Sequence, residues 1–102
     1  MSKRALILGV GRMGTAIAYA MDKLGFSIIG MDTNLDAADN MPKKPTCGFL
    51  VVKSAEDIIT GINIQAPFDV VISSLPYHQT EIVGKWCIDN GVRYCDLGGR
   101  VD

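Results

Sequence analysis

The stretch Ala5–Gly14 reads ALILGVGRMG and joins an apolar run to a glycine-rich segment. A continuous apolar run such as Ala5–Leu8 is typical of a buried strand in a parallel sheet, because helices cover both faces of that strand. Beyond the glycines, apolar residues recur at steps of three and four over Arg12–Leu24, and Gly25 stands where a helix usually ends. The stretch therefore predicts a strand, a tight turn and an amphipathic helix, with a buried face made of Met13, Ala16, Ile17, Ala20, Met21 and Leu24.

Strands and helices alternate along the rest of the chain in the same way. The patterns predict further strands at 26–31, 48–52, 69–73 and 93–97, helices at 55–62 and 80–90, and a short helix at 35–40. The predicted buried face of the last helix consists of Ile82, Val83, Trp86 and Cys87. Short connections between such units produce a parallel sheet with right-handed crossovers. We therefore predict a doubly wound α/β fold of about five strands in the order 3-2-1-4-5.

A glycine fingerprint lies at the first turn of this predicted fold. Residues Gly9–Gly14 match G-x-G-x-x-G, and Asp32 follows 18 positions after Gly14, at the end of the second strand. Gly9 allows the tight turn, Gly11 leaves the backbone open to a pyrophosphate, and Gly14 lets the helix pack closely on the strand. The helix N-terminus offers unpaired N–H groups to phosphates, and Asp32 can accept hydrogen bonds from ribose hydroxyls. The pattern predicts a Rossmann-like dinucleotide-binding fold, truncated because the complete fold has a sixth strand.

The residues around Asp32 favour NAD over NADP as the cofactor. The carboxylate would repel a 2′-phosphate, and the following Thr33 and Asn34 include no arginine to bind one. NADP stays open if Arg12 or the loop lysines at 43–44 reach toward a phosphate. A methyltransferase that binds S-adenosylmethionine also combines a glycine-rich turn with an acidic strand end. The third glycine and the spacing of the first two favour a dinucleotide instead.

A second informative stretch, Ser73–Tyr77, follows the predicted fourth strand. With the order 3-2-1-4-5, the ligand crevice lies between strands 1 and 4, so this stretch lies opposite the glycine turn. The neighbouring His78 is more simply explained as a polar residue at a helix start, and no catalytic residue is predicted. Asp96 and the pair at 98–99 end the fifth strand on the same rim and are further candidate contacts.

The composition limits the classes of function. The chain has 102 residues, enough for one domain, and 10 basic against 11 acidic residues give a net charge of -1. This balance argues against a nucleic-acid partner, and the apolar runs are too short to cross a membrane. Three cysteines without CxxC spacing and a single histidine indicate free thiols in a reducing cytoplasm and no metal site.

Over nearly its whole length the chain resembles the N-terminal NAD(P)-binding domain of the saccharopine dehydrogenase family. Two segments carry the resemblance beyond the common glycine motif: Asp69–Tyr77 reads DVVISSLPY, and Asn90–Gly99 reads NGVRYCDLGG. The resemblance implies an NAD(P)-linked oxidoreductase acting on a C–N bond of an amino-acid-derived substrate. It also implies a cofactor site formed by Gly9, Gly11, Arg12, Met13, Gly14, Asp32, Ser74, Leu75 and Pro76, with Asp96 and Leu97 beyond them.

The resemblance also bears on domain organisation. Family members continue into a second, substrate-binding domain, so residues 1–102 are predicted to be the NAD(P)-binding domain without it, inactive on their own. In the family that the chain resembles, many NADP-using members have an arginine directly after the acidic residue that corresponds to Asp32. This chain has Thr33 there. The alternatives are a stand-alone NAD-sensing regulatory module and an interaction domain without a ligand. The fifth strand would leave an unpaired edge at 94–97, which predicts a homodimer through that edge.

Overall fold

The computed structural model describes residues 3–65, 67–75 and 77–97. In chain order the elements are β1 (Arg4–Leu8), α1 (Arg12–Lys23), β2 (Ser27–Asp32), a 3₁₀ helix (Leu35–Asn40), β3 (Cys47–Val51), α2 (Ala55–Gln65), β4 (Val70–Ser73), α3 (Tyr77–Asp89) and β5 (Arg93–Asp96). Each predicted strand and helix is present, with ends that differ by at most three residues.

The strands form one parallel sheet in the order β3-β2-β1-β4-β5. β1 lies at its centre, where Ile7 is in register with Gly30 of β2 on one side and Ile72 of β4 on the other. The chain moves outward from β1 to β3 and then crosses back to β4. The strand order therefore reverses between β1 and β4, as predicted from the sequence.

Both faces of the sheet are covered by helices and each carries its own apolar core. The core on the side of α2 and α3 includes Leu6, Leu8, Met31, Ile58, Ile62, Val71, Val83 and Cys87. The core on the side of α1 and the 3₁₀ helix includes Ile7, Val10, Ala18, Ile28, Ala37, Met41 and Ile72. Burial raises the pKa of the free Cys87 thiol to about 11. This two-sided arrangement confirms the doubly wound α/β fold.

α1 presents a different face to the sheet from the one predicted. Its buried residues are Gly14 and Ala18, whereas Met13 is 54% exposed and Leu24, at the helix end, is 72% exposed. Of the predicted face, the residues that pack against the core are Ile17 and Met21. Small residues let the helix approach the sheet closely, so they determine the contact line. The sequence prediction followed the large apolar side chains and was displaced by about a quarter turn.

α3 also differs from the prediction in one buried position. Ile82 is 58% exposed, while Val83 and Cys87 are fully buried. Gly84 takes the contact position instead, because the ring of Tyr94 packs against it: a Cβ on Gly84 would lie only 3.1 Å from the Tyr94 Cε2. A glycine contributes nothing to a count of apolar side chains, so the periodicity assigned its place to Ile82.

Candidate functional site

The glycine turn between β1 and α1 is held by close contacts that leave no room for a side chain at Gly9 or Gly14. Gly9 has a φ of +86°, and its N–H donates to the carbonyl oxygen of Met31 at 2.8 Å. A Cβ on Gly14 would lie 1.8 Å from the Gly9 carbonyl oxygen, far inside contact distance. Only glycine fits this crossing of α1 over the turn, which matches the close-packing role predicted for Gly14.

The N-terminus of α1 faces open space. Gly11 is its N-cap, makes no side-chain capping bond and has nothing within 4 Å of the position of a Cβ. The first helical bond runs from the Thr15 N–H to the Gly11 carbonyl at 2.9 Å. The N–H groups of Arg12, Met13 and Gly14 therefore have no acceptor within the helix. These groups, with the helix dipole, form a suitable environment for an anion.

Asp32 ends β2 beside this turn, and its carboxylate is held by two backbone N–H groups. Oδ2 accepts from the Val10 N–H at 2.8 Å, and Oδ1 accepts from the Asn34 N–H at 3.1 Å. A carboxylate has about four lone-pair positions, so both oxygens can still accept hydrogen bonds from a ligand. Asp32 is thus both a structural anchor of the glycine turn and a preorganised acceptor. The anchoring contact with Val10 was not predicted from the sequence.

Ser74 and Leu75 lie against the glycine turn from the β4 side. The Ser74 Oγ lies 2.8 Å from the Gly9 carbonyl oxygen and 3.1 Å from that of Leu8, and its backbone N–H donates to Leu8 at 2.9 Å. A Cβ on Gly9 would lie 2.8 Å from the Leu75 Cδ2. The structure therefore brings these two predicted residues to the crevice between β1 and β4.

Other predicted residues lie farther along the rim or outside the described part of the chain. The Leu97 N–H donates to the Ser73 carbonyl oxygen at 2.7 Å, which places the end of β5 beside β4. Pro76, its predicted turn and the glycine pair at 98–99 lie outside the described residues, as does the side chain of His78. Within the described residues no cluster of His, Cys, Asp or Glu could hold a metal ion, and no helix is long and apolar enough to span a bilayer.

Two clefts meet at Asp32. The first has a volume of about 300 Å³ and is lined by Asp32, Thr33, Val52, Lys53, Ser54, Ala55, Ile58 and Leu75. The second has a volume of about 350 Å³ and is lined by Val10, Gly11, Asp32, Asn34, Asp36, Ala37 and Asn40. Four of the eight residues that line the first cleft have apolar side chains, whereas the second cleft carries two carboxylates and two amides.

The cleft residues that follow β3 and those of the 3₁₀ helix were not predicted as site residues from the sequence alone. A signal for the first group did exist, because β3 ends on the same rim as β1 and β2 in the predicted strand order. Ser54 directly precedes α2, and its Oγ accepts from the Asp57 N–H at 3.1 Å. For Asn40 there was no signal, since its position depends on how a polar segment folds back onto the turn.

The two loop lysines that were considered as contacts for the extra phosphate of NADP form ion pairs with other residues. The Lys44 Nζ lies 2.7 Å from the Asp22 Oδ2, and the Lys43 Nζ lies 3.9 Å from the Asp39 Oδ1. The hydrogen bond and charge of Asp22 raise the pKa of Lys44. Both lysines therefore have acidic partners, and neither lines the second cleft.

Comparison with known protein families identifies the family to which the chain belongs. The sequence matches the family described as "Saccharopine dehydrogenase NADP binding domain" over residues 5–101. The chain belongs to the saccharopine dehydrogenase family. Its matched region is the family's NAD(P)-binding Rossmann domain, so the resemblance predicted from the two later segments is confirmed. No curated protein sequence matches the chain at a significant level.

Solved structures show the same fold at low identity. Saccharopine dehydrogenase (L-Glu forming) from Saccharomyces cerevisiae aligns with a TM-score of 0.70 and 22% identity, over 99% of this chain and 22% of its own. WbmH from Bordetella bronchiseptica, in complex with NAD+, has a TM-score of 0.72 and 19% identity, over 92% and 38%. A xanthine dehydrogenase from Bacillus halodurans has a TM-score of 0.75 and 16% identity, over 97% and 30%. The chain thus spans well under half the length of these proteins.

Proposed function

We propose that this saccharopine dehydrogenase family chain binds NAD across the turn Gly9–Gly14. The proposal rests mainly on the position of the Asp32 carboxylate. Two backbone N–H groups hold it beside the N-terminus of α1, which has no side-chain cap. A preorganised acceptor and a set of unpaired donors at this spacing match a ribose and a pyrophosphate. In this proposal Gly11, Arg12 and Met13 contribute N–H groups to the pyrophosphate, and Asp32 binds the adenosine ribose.

The first cleft supports a place for the adenine. Val52, Ala55, Ile58 and Leu75 give it an apolar lining, and Asp32 stands at its border. A flat heteroaromatic ring gains most from burial against apolar side chains. Gly9, Gly14 and Ser74 hold the turn in shape, and Leu75 and Pro76 extend the contact along the cofactor. With these assignments, each residue of the cofactor site predicted from the sequence has a proposed role.

NAD is proposed in preference to NADP on the charges beside the ribose. Asp36 lines the second cleft together with Asp32, and two carboxylates at one cleft oppose a 2′-phosphate. Among the described residues that line this cleft there is no lysine or arginine. Lys53 lines the first cleft, where adenine is placed. The family description names NADP, so the nucleotide preference needs a direct measurement.

We further propose that the chain is the cofactor-binding part of an oxidoreductase acting on a C–N bond of an amino-acid-derived substrate. The family membership supports this reaction class, and residues 1–102 would supply the nucleotide site while a separate domain supplies the substrate-binding and acid–base groups. The bound cofactor would accept or donate the hydride. The role of this chain's own residues is to hold and orient that cofactor.

Thermal unfolding in the presence of NAD+, NADH, NADP+ and NADPH tests the proposal. A ligand at about 100 times its Kd stabilises a protein by roughly 2.7 kcal/mol, which for ~100 residues raises the Tm by on the order of ten degrees. We expect this shift with NAD+ and NADH and a much smaller one with the phosphorylated forms.

Two variants make the test specific. Asp32→Asn keeps one oxygen for the Val10 N–H but removes the charge and one acceptor, so we expect it to lose most of the NAD shift. Asp89→Asn removes the same charge at an exposed position at the end of α3 and should keep the full shift. No shift with any nucleotide, or an equal shift in all of them, would contradict the proposal.

A further inference from the structure

The last residue of the 3₁₀ helix contacts the glycine turn directly. The Asn40 Nδ2 donates to the Val10 carbonyl oxygen at 2.8 Å, across 30 positions of sequence. The N–H of the same residue, Val10, donates to the Asp32 Oδ2, also at 2.8 Å. Both backbone polar groups of Val10 are therefore held by side chains, one at the end of β2 and one at the end of the 3₁₀ helix.

The Val10 carbonyl matters because of the peptide group to which it belongs. That group also contains the Gly11 N–H, and in a planar trans peptide the carbonyl and the N–H point in opposite directions. Fixing the carbonyl on Asn40 therefore fixes the direction of the Gly11 N–H. This N–H is one of the unpaired donors at the start of α1. A hydrogen bond accepted by the carbonyl also polarises the peptide and strengthens its N–H as a donor.

Contacts at both ends of the 3₁₀ helix hold the backbone around Asn40 in place. The Asn34 Oδ1 accepts from the Asp36 N–H at 3.0 Å and caps the 3₁₀ helix at its start. At its end, Met41 is 3% exposed and its sulfur would lie 2.8 Å from a Cβ on Gly30, so it packs tightly over β2. The Val10 side chain is fully buried. The backbone segments that carry the two partners are therefore anchored, while Asn40 itself is exposed.

We propose that Asn40 is a positioning residue for phosphate recognition, acting through the Val10–Gly11 peptide. The inference rests on the proposed function, because it assumes that the turn binds a pyrophosphate. The residue type fits this role, since the Val10 carbonyl can only accept and the amide of asparagine can donate. Aspartate has nearly the same shape but would place a carboxylate oxygen against the carbonyl oxygen. Asn40→Asp therefore reverses the contact without changing its size.

Binding of ADP-ribose and of adenosine separates this role from a general structural one. ADP-ribose carries the pyrophosphate, whereas adenosine carries only the adenine and the ribose. By calorimetry we expect Asn40→Ala to weaken ADP-ribose binding about fivefold to tenfold and Asn40→Asp more than about tenfold. Adenosine affinity should change by less than about twofold in both variants, because its proposed contacts lie elsewhere.

A matched control exists at the end of α3. The Asn90 Nδ2 donates to the Trp86 carbonyl oxygen, also at 2.8 Å, far along the chain from the glycine turn. Asn90→Ala removes the same kind of bond and should leave both affinities unchanged. The proposal is overturned if Asn40→Ala leaves ADP-ribose binding unchanged, or if it weakens adenosine and ADP-ribose equally.

A second readout needs no ligand and remains decisive if the wild-type chain fails to bind ADP-ribose, an outcome that would refute the proposed function. In the ¹H–¹⁵N spectrum of the free protein, the Gly11 amide resonance should shift in Asn40→Ala and Asn40→Asp but not in Asn90→Ala. An unchanged Gly11 resonance in both Asn40 variants shows that Asn40 does not orient this peptide, and it refutes the inference.

Discussion

Gly9 and Gly14 touch across the turn that joins β1 to α1, and this contact sets how closely α1 crosses the turn. The 1.8 Å between a Cβ on Gly14 and the Gly9 carbonyl oxygen leaves no way to fit a side chain. Such local steric requirements could be predicted from the sequence, because they follow from the spacing of the fingerprint itself. The contacts of Val10 with Asp32 and Asn40 could not, because they depend on how distant segments meet.

Gly14→Ala is expected to lower the free energy of unfolding by about 2–3 kcal/mol, since α1 must move away from the turn to admit the methyl group. Gly11→Ala is the matched control: its φ is -84° and nothing lies within 4 Å of the added atom, so stability should change by less than about 1 kcal/mol. Urea unfolding measures both. Equal stability of the two variants would show that the close crossing of α1 is not required.

At the scale of elements, the fold was predictable and the helix orientations were not. Strand existence and order followed from short apolar runs separated by periodic segments. The face of α1 depends on Gly14 and Ala18, and that of α3 on Gly84, which are small residues that apolar periodicity does not detect. The 3₁₀ helix was predicted at its correct position, but its contact with the site arises only in the folded chain.

The start of α2 provides a test at this scale. The Ser54 Oγ accepts from the Asp57 N–H at 3.1 Å, and the Asp57 Oδ2 accepts from the Lys53 N–H at 2.9 Å, so side-chain acceptors satisfy N–H groups on both sides of the helix start. We expect Ser54→Ala to cost about 1 kcal/mol of stability, because it leaves a first-turn N–H without its acceptor. Ser54→Asp should restore most of this loss. Urea unfolding free energies that are the same for wild type and Ser54→Ala would contradict this assignment.

The whole molecule is a two-sided sheet with its site on one rim and an open edge at β5. Within the described residues β5 pairs with β4 alone, and its residues alternate between exposed and half-buried. Cys95 is in register with Ile72, so it lies on the α1 side of the sheet, where it is exposed. An edge strand of this kind is available for pairing with another chain.

We expect the protein to form a homodimer through β5 at high concentration. Sedimentation in the presence of a reductant should show association that Cys95→Lys reduces, because a charge on an edge strand disfavours pairing. Asn63→Lys adds the same charge at an exposed position of α2 and should associate like wild type. A wild-type monomer at all concentrations would show that this edge is not used.

The most direct test of the account is a ¹H–¹⁵N titration of the wild-type chain with NAD+. We expect the largest amide shifts at Gly11, Arg12 and Met13. Smaller shifts should follow at Thr33, beside Asp32, and in the segment 53–55 at the first cleft. Amides at the N-terminal ends of the strands, such as those of Ser27 and Arg93, lie on the opposite rim of the sheet and should stay unchanged. Shifts concentrated at that opposite rim, or none at saturating NAD+, would contradict the claim that the glycine turn and Asp32 form a dinucleotide site.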